Sequence, residues 1–206
     1  MYFQIKRFFD FSGSFLIIVI LVPVLFLTTI SILAFDGRPI IFKQIRVGKN
    51  GIKFCLYKFR SMKFSNIHES LGNIEVSEAA LDARNRFKVT SINDKRITRI
   101  GKFIRASHID ELPQLFNVLK GDMSLVGPRP DVPAQIADYK KKEWDERISV
   151  LPGITGFSQV KVTNSNEDRT QKDLFYIHKR SFLFDLEILL MTIIKIFKMN
   201  SFWILK

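Results

Sequence analysis

Residues 11–35 carry no charged side chain, and this stretch constrains the fold more than any other part of the sequence. A straight helix over these residues would be about 37 Å long. The hydrocarbon core of a bilayer is roughly 30 Å thick, so an uncharged segment of this length is typical of a membrane-spanning helix. The sequence therefore predicts a helix that inserts into a membrane.

Pro23 lies near the middle of this stretch and changes the expected topology. A proline inside a helix removes one backbone hydrogen bond and can divide the helix into two arms. Both flanks are basic, with Lys6 and Arg7 on one side and Arg38 first among the cations on the other. Because basic flanks remain on the cytoplasmic side, we favour a re-entrant helix that enters and leaves one leaflet. A spanning helix stays open as the alternative, since spanning helices also contain proline.

The rest of the chain, residues 37–206, is expected to form one cytosol-facing catalytic domain attached to the membrane by residues 1–36. The chain has 206 residues, of which 47% are hydrophobic, and can bury one sizeable core. Its net charge of +12 predicts an anionic partner, such as nucleic acid, acidic lipid or a nucleotide-like substrate. Cys55 is the only cysteine, which excludes a disulfide framework, and we expect it to be buried in a strand.

Two strands are predicted at residues 39–42 and 53–59. They flank the turn Gly48-Lys49-Asn50-Gly51, which is a strong hairpin signal. Residues 65–91 are polar and weakly periodic, and we interpret them as an insertion with one helix around residues 77–87.

Residues 182–206 predict an amphipathic C-terminal helix. One face is apolar and consists of Leu186, Leu189, Leu190, Ile193, Ile196 and Phe197, whereas the other carries Asp185, Thr192, Lys195 and Lys198. These charges argue against a spanning helix. The helix either packs on the soluble core through its apolar face or lies at the membrane interface, where Trp203 and Lys206 would add anchors.

The adjacent acids Asp110 and Glu111 are the strongest candidates for chemistry. Apolar residues recur at helical spacing from Leu112 to Leu119, and Pro113 suits a first turn, so the pair is expected at a helix start. The helix dipole there favours an ionised Asp110, which can serve as a nucleophile or a metal ligand. The alternative is that Asp110 only caps the helix.

Cations surround this pair in the sequence. Arg129 lies between two prolines in the loop after the predicted helix, and a guanidinium held in such a stiff frame suits bidentate phosphate binding. Before the acids, a basic amphipathic helix is predicted from Arg96, Arg99, Lys102 and Arg105, with Ile97, Ile100 and Ile104 on another side. Such a basic stripe alone is more typical of a solvated face or a membrane surface.

The chain resembles the small monotopic phosphoglycosyl transferases of the bacterial sugar transferase family, which are related to the enzyme that begins bacterial N-linked glycan assembly. The resemblance covers nearly the whole chain and rests on motifs in a fixed order. They are Lys6-Arg7-Phe8-Phe9-Asp10, the helix with Pro23, Tyr57-Lys58-Phe59-Arg60-Ser61-Met62, Arg105, Asp110-Glu111-Leu112-Pro113-Gln114-Leu115, Leu119-Lys120-Gly121-Asp122-Met123-Ser124, Val126-Gly127-Pro128-Arg129-Pro130 and Pro152-Gly153-Ile154-Thr155-Gly156.

The resemblance implies a mainly helical α+β fold with a proline-broken re-entrant helix, a small β-hairpin and amphipathic interfacial helices. It implies transfer of a sugar 1-phosphate from a UDP-sugar to polyprenyl (undecaprenyl) phosphate, with release of UMP, at the cytoplasmic face of the bacterial inner membrane. That reaction would initiate glycan assembly.

The resemblance also implies roles for individual residues. Asp110 would be the nucleophile that forms a covalent aspartyl-phosphosugar intermediate, and Glu111 would assist it. Both would bind Mg²⁺. Lys58, Arg105 and Arg129 would hold phosphates, and Asp173 would contact metal or sugar. A surface ion pair is the structural alternative for both Lys58 and Asp173.

Three departures from the family pattern stand out: Val22 before the proline, Phe157 in place of tryptophan, and Lys161-Val162-Thr163-Asn164 after Gln159-Val160. The sugar, the glycan pathway and the oligomeric state therefore stay open. A nucleic-acid-binding protein is disfavoured because no recognition motif accompanies the charge. A catalytically silent scaffold and direct attack by the lipid phosphate remain as alternatives.

Overall fold

The computed structural model describes residues 2–63 and 94–204, with side chains as far as residue 198. The predicted insertion and its helix lie outside the described part, as do Lys206 and the side chain of Trp203. The elements are α1 (Tyr2–Phe35), β1 (Ile41–Val47), β2 (Lys53–Phe59), α2 (Arg99–Ala106), α3 (Gln114–Lys120), β3 (Ser124–Val126), α4 (Lys141–Arg147), β4 (Gly153–Thr155), α5 (Phe157–Val160), α6 (Asn166–Lys179) and α7 (Phe182–Ile204). The predicted mainly helical α+β fold is confirmed.

Helix α1 continues through Pro23 for 34 residues, so the helix is not divided into two separate helices. A proline costs one intrahelical hydrogen bond, and the surrounding bonds suffice to keep the helix continuous. The middle of α1 is exposed: Phe15, Leu16, Val19, Ile20, Val22, Phe26 and Leu27 each have more than half of their surface accessible. Length and composition make α1 a candidate for membrane insertion.

Both ends of α1 are bound to the same globular part of the chain. Near the N-terminal end, the Arg7 guanidinium donates to the carbonyl oxygens of Val118 (2.6 Å) and Leu119 (2.9 Å). Near the C-terminal end, Ile32 is fully buried in a cluster with Phe59 and Ile104. The domain therefore packs against the two ends of α1 and leaves its apolar middle uncovered.

Strands β1 and β2 form an antiparallel hairpin in which Ile41 pairs with Phe59 and Val47 with Lys53. The second strand and the turn were predicted correctly. The first strand begins at Ile41 and is longer than the predicted 39–42, because Lys43 and Arg46 interrupt its apolar pattern in the sequence. Cys55 lies in β2 as expected, but it is half-buried rather than buried.

Two short parallel strands, β3 and β4, bring distant loops together. Ser124 pairs with Gly153, and Val126 pairs with Thr155. A Cβ at Gly153 would lie 2.1 Å from the backbone nitrogen of Gly127, so glycine permits this close approach. The loop that carries Arg129 is thereby fixed against the start of β4.

Helix α7 packs on the domain through a mixed face: Ile188 is fully buried in a core cluster, Phe184 and Leu189 pack against it, and polar residues lie beside them. The helix thus meets the core and still leaves most of its predicted apolar face uncovered. Asp185 is buried and accepts hydrogen bonds from Lys6 (2.7 Å) and the Tyr176 hydroxyl (2.7 Å), and the hydroxyl groups of Thr192 and Thr155 lie 2.7 Å apart. The exposed large apolar side chains of α7 are Leu183, Leu186, Leu190, Ile193, Ile194 and Phe197. Like α1, α7 therefore presents an apolar surface away from the domain.

Candidate active site

Asp110 and Glu111 lie in a short 3-10 turn, Ile109–Glu111, between α2 and α3. Helix α3 begins at Gln114 with Pro113 as its N-cap, so the prediction that Asp110 lies at or beside the cap is wrong. The physical reason is Pro113, which has no N–H to donate to the preceding turn, so the chain around it closes with three-residue bonds, from Leu112 N to Ile109 O (3.1 Å) and from Leu115 N to Leu112 O (3.0 Å). The regular helix therefore starts two residues later than the apolar pattern indicated. The two acids instead project from a turn that joins two helices.

Lys58 is the cation closest to the two acids. It lies near the end of β2, and its Nζ atom donates to Glu111 Oε1 at 2.7 Å and lies 3.9 Å from Asp110 Oδ2. Its neighbour in the hairpin, Phe59, is buried in the cluster below α1, which fixes the end of the strand. The structure therefore brings Lys58 to the two acids, and phosphate binding by Lys58 stays a prediction.

Arg129 reaches the same carboxylate from the opposite loop. Its Nη2 atom lies 3.1 Å from Glu111 Oε1, and its Nη1 atom donates to Gln159 Oε1 at 3.1 Å. The Arg129 side chain is still 42% exposed. A guanidinium that is both oriented and accessible is suited to bind a phosphate.

The two acids differ in their electrostatic environment. Burial alone would raise the pKa of Glu111, but the charges of Lys58 and Arg129 outweigh it and lower that pKa to about 2. Burial raises the pKa of Asp110 above its ordinary value, in spite of Lys58. In the described part of the chain, the Asp110 carboxylate accepts no hydrogen bond and has only the 3.9 Å contact with Lys58. The expectation of a helix-stabilised anion is therefore corrected: the Asp110 anion is poorly compensated.

The donor set fits a magnesium ion only in combination with a substrate. Within residues 2–63 and 94–204, no group of three or more His, Cys, Asp or Glu side chains is placed to hold a metal. Mg²⁺ accepts one or two carboxylates together with phosphate oxygens and water. The under-compensated carboxylate of Asp110, beside Glu111, meets that requirement.

Arg105 lies in the last turn of α2, as the basic amphipathic pattern predicted, although the helix begins at Arg99 and leaves Arg96 outside it. Thr98 caps α2 by accepting a hydrogen bond from the Gly101 amide at 2.8 Å. The positive charge of Arg105 is among those that lower the pKa of Asp110. The structure thus places Arg105 within electrostatic reach of the two acids, and phosphate binding by it stays a prediction.

Asp173 is not brought to the two acids but belongs to a buried ion network behind the Arg129 loop. Its Oδ2 atom accepts from Arg147 Nε at 3.0 Å, and Arg147 also pairs with Asp131. The side chains of Asp173, Arg147 and Asp131 are only 1%, 3% and 2% exposed. This enclosure favours an ion pair over contact with metal or sugar for Asp173, although the pair is buried and not at the surface as expected.

The network also holds the loop backbone, through residues that the sequence analysis did not select. Arg147 Nη2 donates to the carbonyl oxygen of Arg129 at 2.6 Å, and Arg46 Nη1 donates to that of Pro130 at 2.9 Å. Burial, reinforced by the charge of Arg129, lowers the pKa of Arg46 to about 10. No local sequence pattern marks Arg46 or Arg147 as functional, because the carbonyl groups they bind are distant along the chain. Gln159 lies in a sequence motif, but the sequence predicted no role for it.

The site combines an acid pair, a lysine and an oriented arginine, and the same chain has a helix suited to membrane insertion. This combination is typical of membrane-associated proteins that act on phosphate groups. The model of the family described as "Bacterial sugar transferase" matches residues 1–199. The chain belongs to this family.

The chain is similar to several sugar transferases and phosphotransferases from other bacteria. It is 38% identical over 195 residues to the "Uncharacterized sugar transferase EpsL" of Bacillus subtilis, covering 93% of this chain and 87% of that protein. It is 39% identical over 210 residues to the undecaprenyl-phosphate glucose phosphotransferase of Komagataeibacter xylinus, covering 96% of this chain and 37% of that protein. It is 39% identical over 193 residues to the undecaprenyl-phosphate galactose phosphotransferase of Salmonella typhimurium, covering 91% and 39% respectively.

The chain thus spans most of one relative but about two-fifths of the other two. The names of those two relatives contain the same lipid acceptor and different sugars.

Proposed function

We propose that the protein is a phosphoglycosyl transferase that moves a sugar 1-phosphate from a UDP-sugar to polyprenyl phosphate and releases UMP. The observation that carries this proposal is the convergence of Lys58 and Arg129 on the Asp110–Glu111 pair. Phosphoryl transfer needs a nucleophile in line with the leaving group and cations on the phosphate oxygens, and these residues supply both. Relatives named as undecaprenyl-phosphate sugar phosphotransferases support the same reaction.

Asp110 is the proposed nucleophile because its carboxylate is the less compensated of the two. A carboxylate oxygen of Asp110 attacks the phosphorus that bears the sugar, and the bond from that phosphorus to UMP breaks. The resulting acyl phosphate is then attacked by an oxygen of the polyprenyl phosphate, which gives a polyprenyl diphosphosugar and frees Asp110. The raised pKa of Asp110 is in keeping with a more basic and reactive carboxylate than an ordinary surface aspartate.

Glu111 has a different role in this proposal. Its pairing with Lys58 and Arg129 orders these cations around the site before substrate arrives. When the diphosphate of the donor enters, it competes with Glu111 for the same cations, and Arg105 adds a further positive charge. A bound Mg²⁺, held by Asp110 and Glu111, would neutralise negative charge on the phosphate oxygens.

The proposed membrane arrangement is monotopic, with residues 1–36 as a re-entrant anchor and residues 37–206 as the catalytic domain. The attachment of both ends of α1 to one domain supports this topology, since a helix that crossed the bilayer would place its ends on opposite sides of the membrane, where one domain could not contact both. The exposed apolar sides of α1 and α7 would then lie in the bilayer and at its interface. Basic flanks favour the cytoplasmic face of the inner membrane.

Isotope exchange tests the reaction and the intermediate together. Full-length protein in detergent with Mg²⁺ is incubated with labelled UMP and a panel of unlabelled UDP-sugars, without the lipid acceptor. A covalent intermediate returns label to the UDP-sugar that is the donor, because the first half-reaction is reversible on its own. Asp110→Asn is expected to abolish the exchange.

The alternatives give different results in the same assay. Direct attack by the lipid phosphate gives UMP release only when the acceptor is added and no exchange without it. A silent scaffold gives neither exchange nor UMP release with any donor, although the protein is folded. Full exchange by Asp110→Asn would exclude Asp110 as the nucleophile.

A further inference from the structure

A cavity of about 230 Å³ lies at the N-terminal end of α1, between this helix, the hairpin turn and the end of α6. Val126, Val150 and Leu151 form an apolar wall, and Tyr2 and Phe3 add aromatic surface. The rim of the cavity is cationic. No step of the proposed reaction uses it, although its volume is sufficient for part of a small amphiphilic molecule.

Two of the four cations at the cavity are already engaged by the protein. Lys6 forms an ion pair with Asp185 at 2.7 Å, and both terminal nitrogens of Arg7 donate to backbone carbonyl oxygens of α3. Asp10, the acid at the cavity, is buried and lies 3.9 Å from Lys6. These groups hold the end of α1 in place and leave little charge for a ligand.

The other two cations, Lys49 and Arg180, have no acidic partner within the described residues. Lys49 Nζ lies 5.5 Å from the ring centroid of Phe3, and Arg180 Cζ lies 5.1 Å from the same centroid. Arg180 donates one hydrogen bond, from Nη1 to the carbonyl oxygen of Ile177 at 2.7 Å, and its other donors remain. Two like charges that share one aromatic ring repel each other, and an anion between them would offset this repulsion.

The position of the cavity identifies the chemical class of the anion. The residues of α1 that line it, Tyr2 to Asp10, directly precede the uncharged stretch 11–35, so the cavity lies where the chain passes from charged to apolar surroundings. Phe3 is 53% exposed beside it. We propose that this cavity binds an anionic membrane phospholipid, with its phosphate between Lys49 and Arg180 and its chains against Phe3 and the apolar wall.

Distance separates this site from the proposed active site. Lys53, next to the hairpin turn, and Lys58 are five residue steps apart along β2, which corresponds to roughly 17 Å of strand. A lipid phosphate held by Lys49 is therefore out of reach of Asp110. The site serves to seat the N-terminal end of α1 on an acidic membrane surface rather than to hold the acceptor of the reaction, and it does not depend on the proposed reaction.

Calorimetric titration of the full chain in non-ionic detergent tests this site. The probes are dihexanoyl phosphatidylglycerol, dihexanoyl phosphatidylcholine and inorganic phosphate. We expect phosphatidylglycerol to bind and the other two to bind at least tenfold more weakly. In Lys49→Gln/Arg180→Gln the affinity for phosphatidylglycerol should fall at least tenfold, whereas Lys53→Gln/Lys179→Gln, which removes the same charge from exposed positions outside the cavity, should leave it unchanged.

Several results would overturn the proposal. Equal binding of phosphatidylcholine would mean an apolar cavity without charge recognition, and equal binding of inorganic phosphate would identify a free anion as the ligand. The same loss in both double variants would mean a diffuse charge effect. Lys49→Gln alone changes one half-buried side chain of the hairpin turn and should also lower the affinity for phosphatidylglycerol, so it keeps the test valid if the double variant fails to fold. UMP release in detergent should be the same in all variants, which separates this test from that of the proposed reaction.

Discussion

The acid pair at the candidate site and the buried network behind it contain the same types of residue, but their carboxylates are paired to different extents. In the network, both carboxylate oxygens of Asp131 are occupied, one by Arg169 and the other by Arg147 and the Tyr139 hydroxyl. At the site, Asp110 accepts no hydrogen bond from the described residues, and Glu111 directs a single oxygen at two cations.

The difference distinguishes charges that stabilise the fold from charges that are available to bind a substrate. Buried ions that are fully paired fix geometry, because the loss of either partner leaves an uncompensated charge in a low-dielectric interior. Ions that are only partly paired can exchange their protein partner for a substrate. The two clusters are joined by the backbone of Arg129, which the network holds by its carbonyl oxygen and the site uses by its side chain.

The largest effect is expected for Asp110→Asn. UMP release should fall on the order of 10⁴-fold, as is typical for loss of a nucleophile. The melting temperature should not fall, since the Asp110 carboxylate makes no hydrogen bond in the described structure and burial disfavours its charge. Steady-state kinetics and thermal unfolding measure the two quantities. A marked drop in melting temperature would show that Asp110 stabilises the fold, as the acids of the buried network do, and would contradict the difference proposed between the two clusters.

Arg147→Met tests the buried network, which is the other cluster in this comparison. It leaves Asp131 and Asp173 without their shared partner, and we expect a loss of about 3–5 kcal/mol in the free energy of unfolding. Urea unfolding in detergent measures it. The matched control is Lys172→Met, which breaks the more exposed pair with Asp168 and should leave the urea midpoint unchanged. Equal effects of the two substitutions would show that burial does not distinguish these ion pairs.

Asp173→Asn distinguishes a structural carboxylate from a metal-binding one. Loss of one charged hydrogen bond in the network should cost about 2 kcal/mol of unfolding free energy. The Mg²⁺ concentration for half-maximal UMP release should stay the same, since Asp173 pairs with Arg147 and is enclosed. An increase of tenfold or more in that concentration, with unchanged stability, would assign Asp173 to the metal instead.

The smallest effect is expected in the pH dependence of the reaction. An acid with a raised pKa loses its charge at a higher pH, so the acid limb of kcat/KM should lie above the ordinary aspartate value of 3.8. Arg105→Gln removes a charge that lowers the pKa of Asp110, and the limb should move further upward. Lys102→Gln, an exposed change in the same helix, is the control. A shift of the limb to lower pH in Arg105→Gln would contradict the proposed electrostatic role.

Local patterns in the sequence predicted several elements correctly and misplaced others. The hairpin turn, β2 and the basic helix α2 follow from turn residues and helical spacing. The start of α3 was misplaced because a single proline delays the helix, which the apolar spacing does not reveal. The orientation of α7 was left open between the protein core and the membrane interface, because hydrophobicity alone does not distinguish a face that meets the protein interior from one that is left uncovered.

The sequence by itself determined the apolar helix, the adjacency of the two acids and the order of the motifs, because these depend on composition and on neighbours along the chain. Only the tertiary structure decided which cations meet the acids. Lys58 and Glu111 are 53 residues apart, and Arg147 reaches the Arg129 carbonyl across 18 residues. Such pairs form when the hairpin, the two short parallel strands and the helices pack together. Burial and long-range contacts, rather than local spacing, therefore assign Asp110 to the candidate site and Asp173 to the framework that supports it.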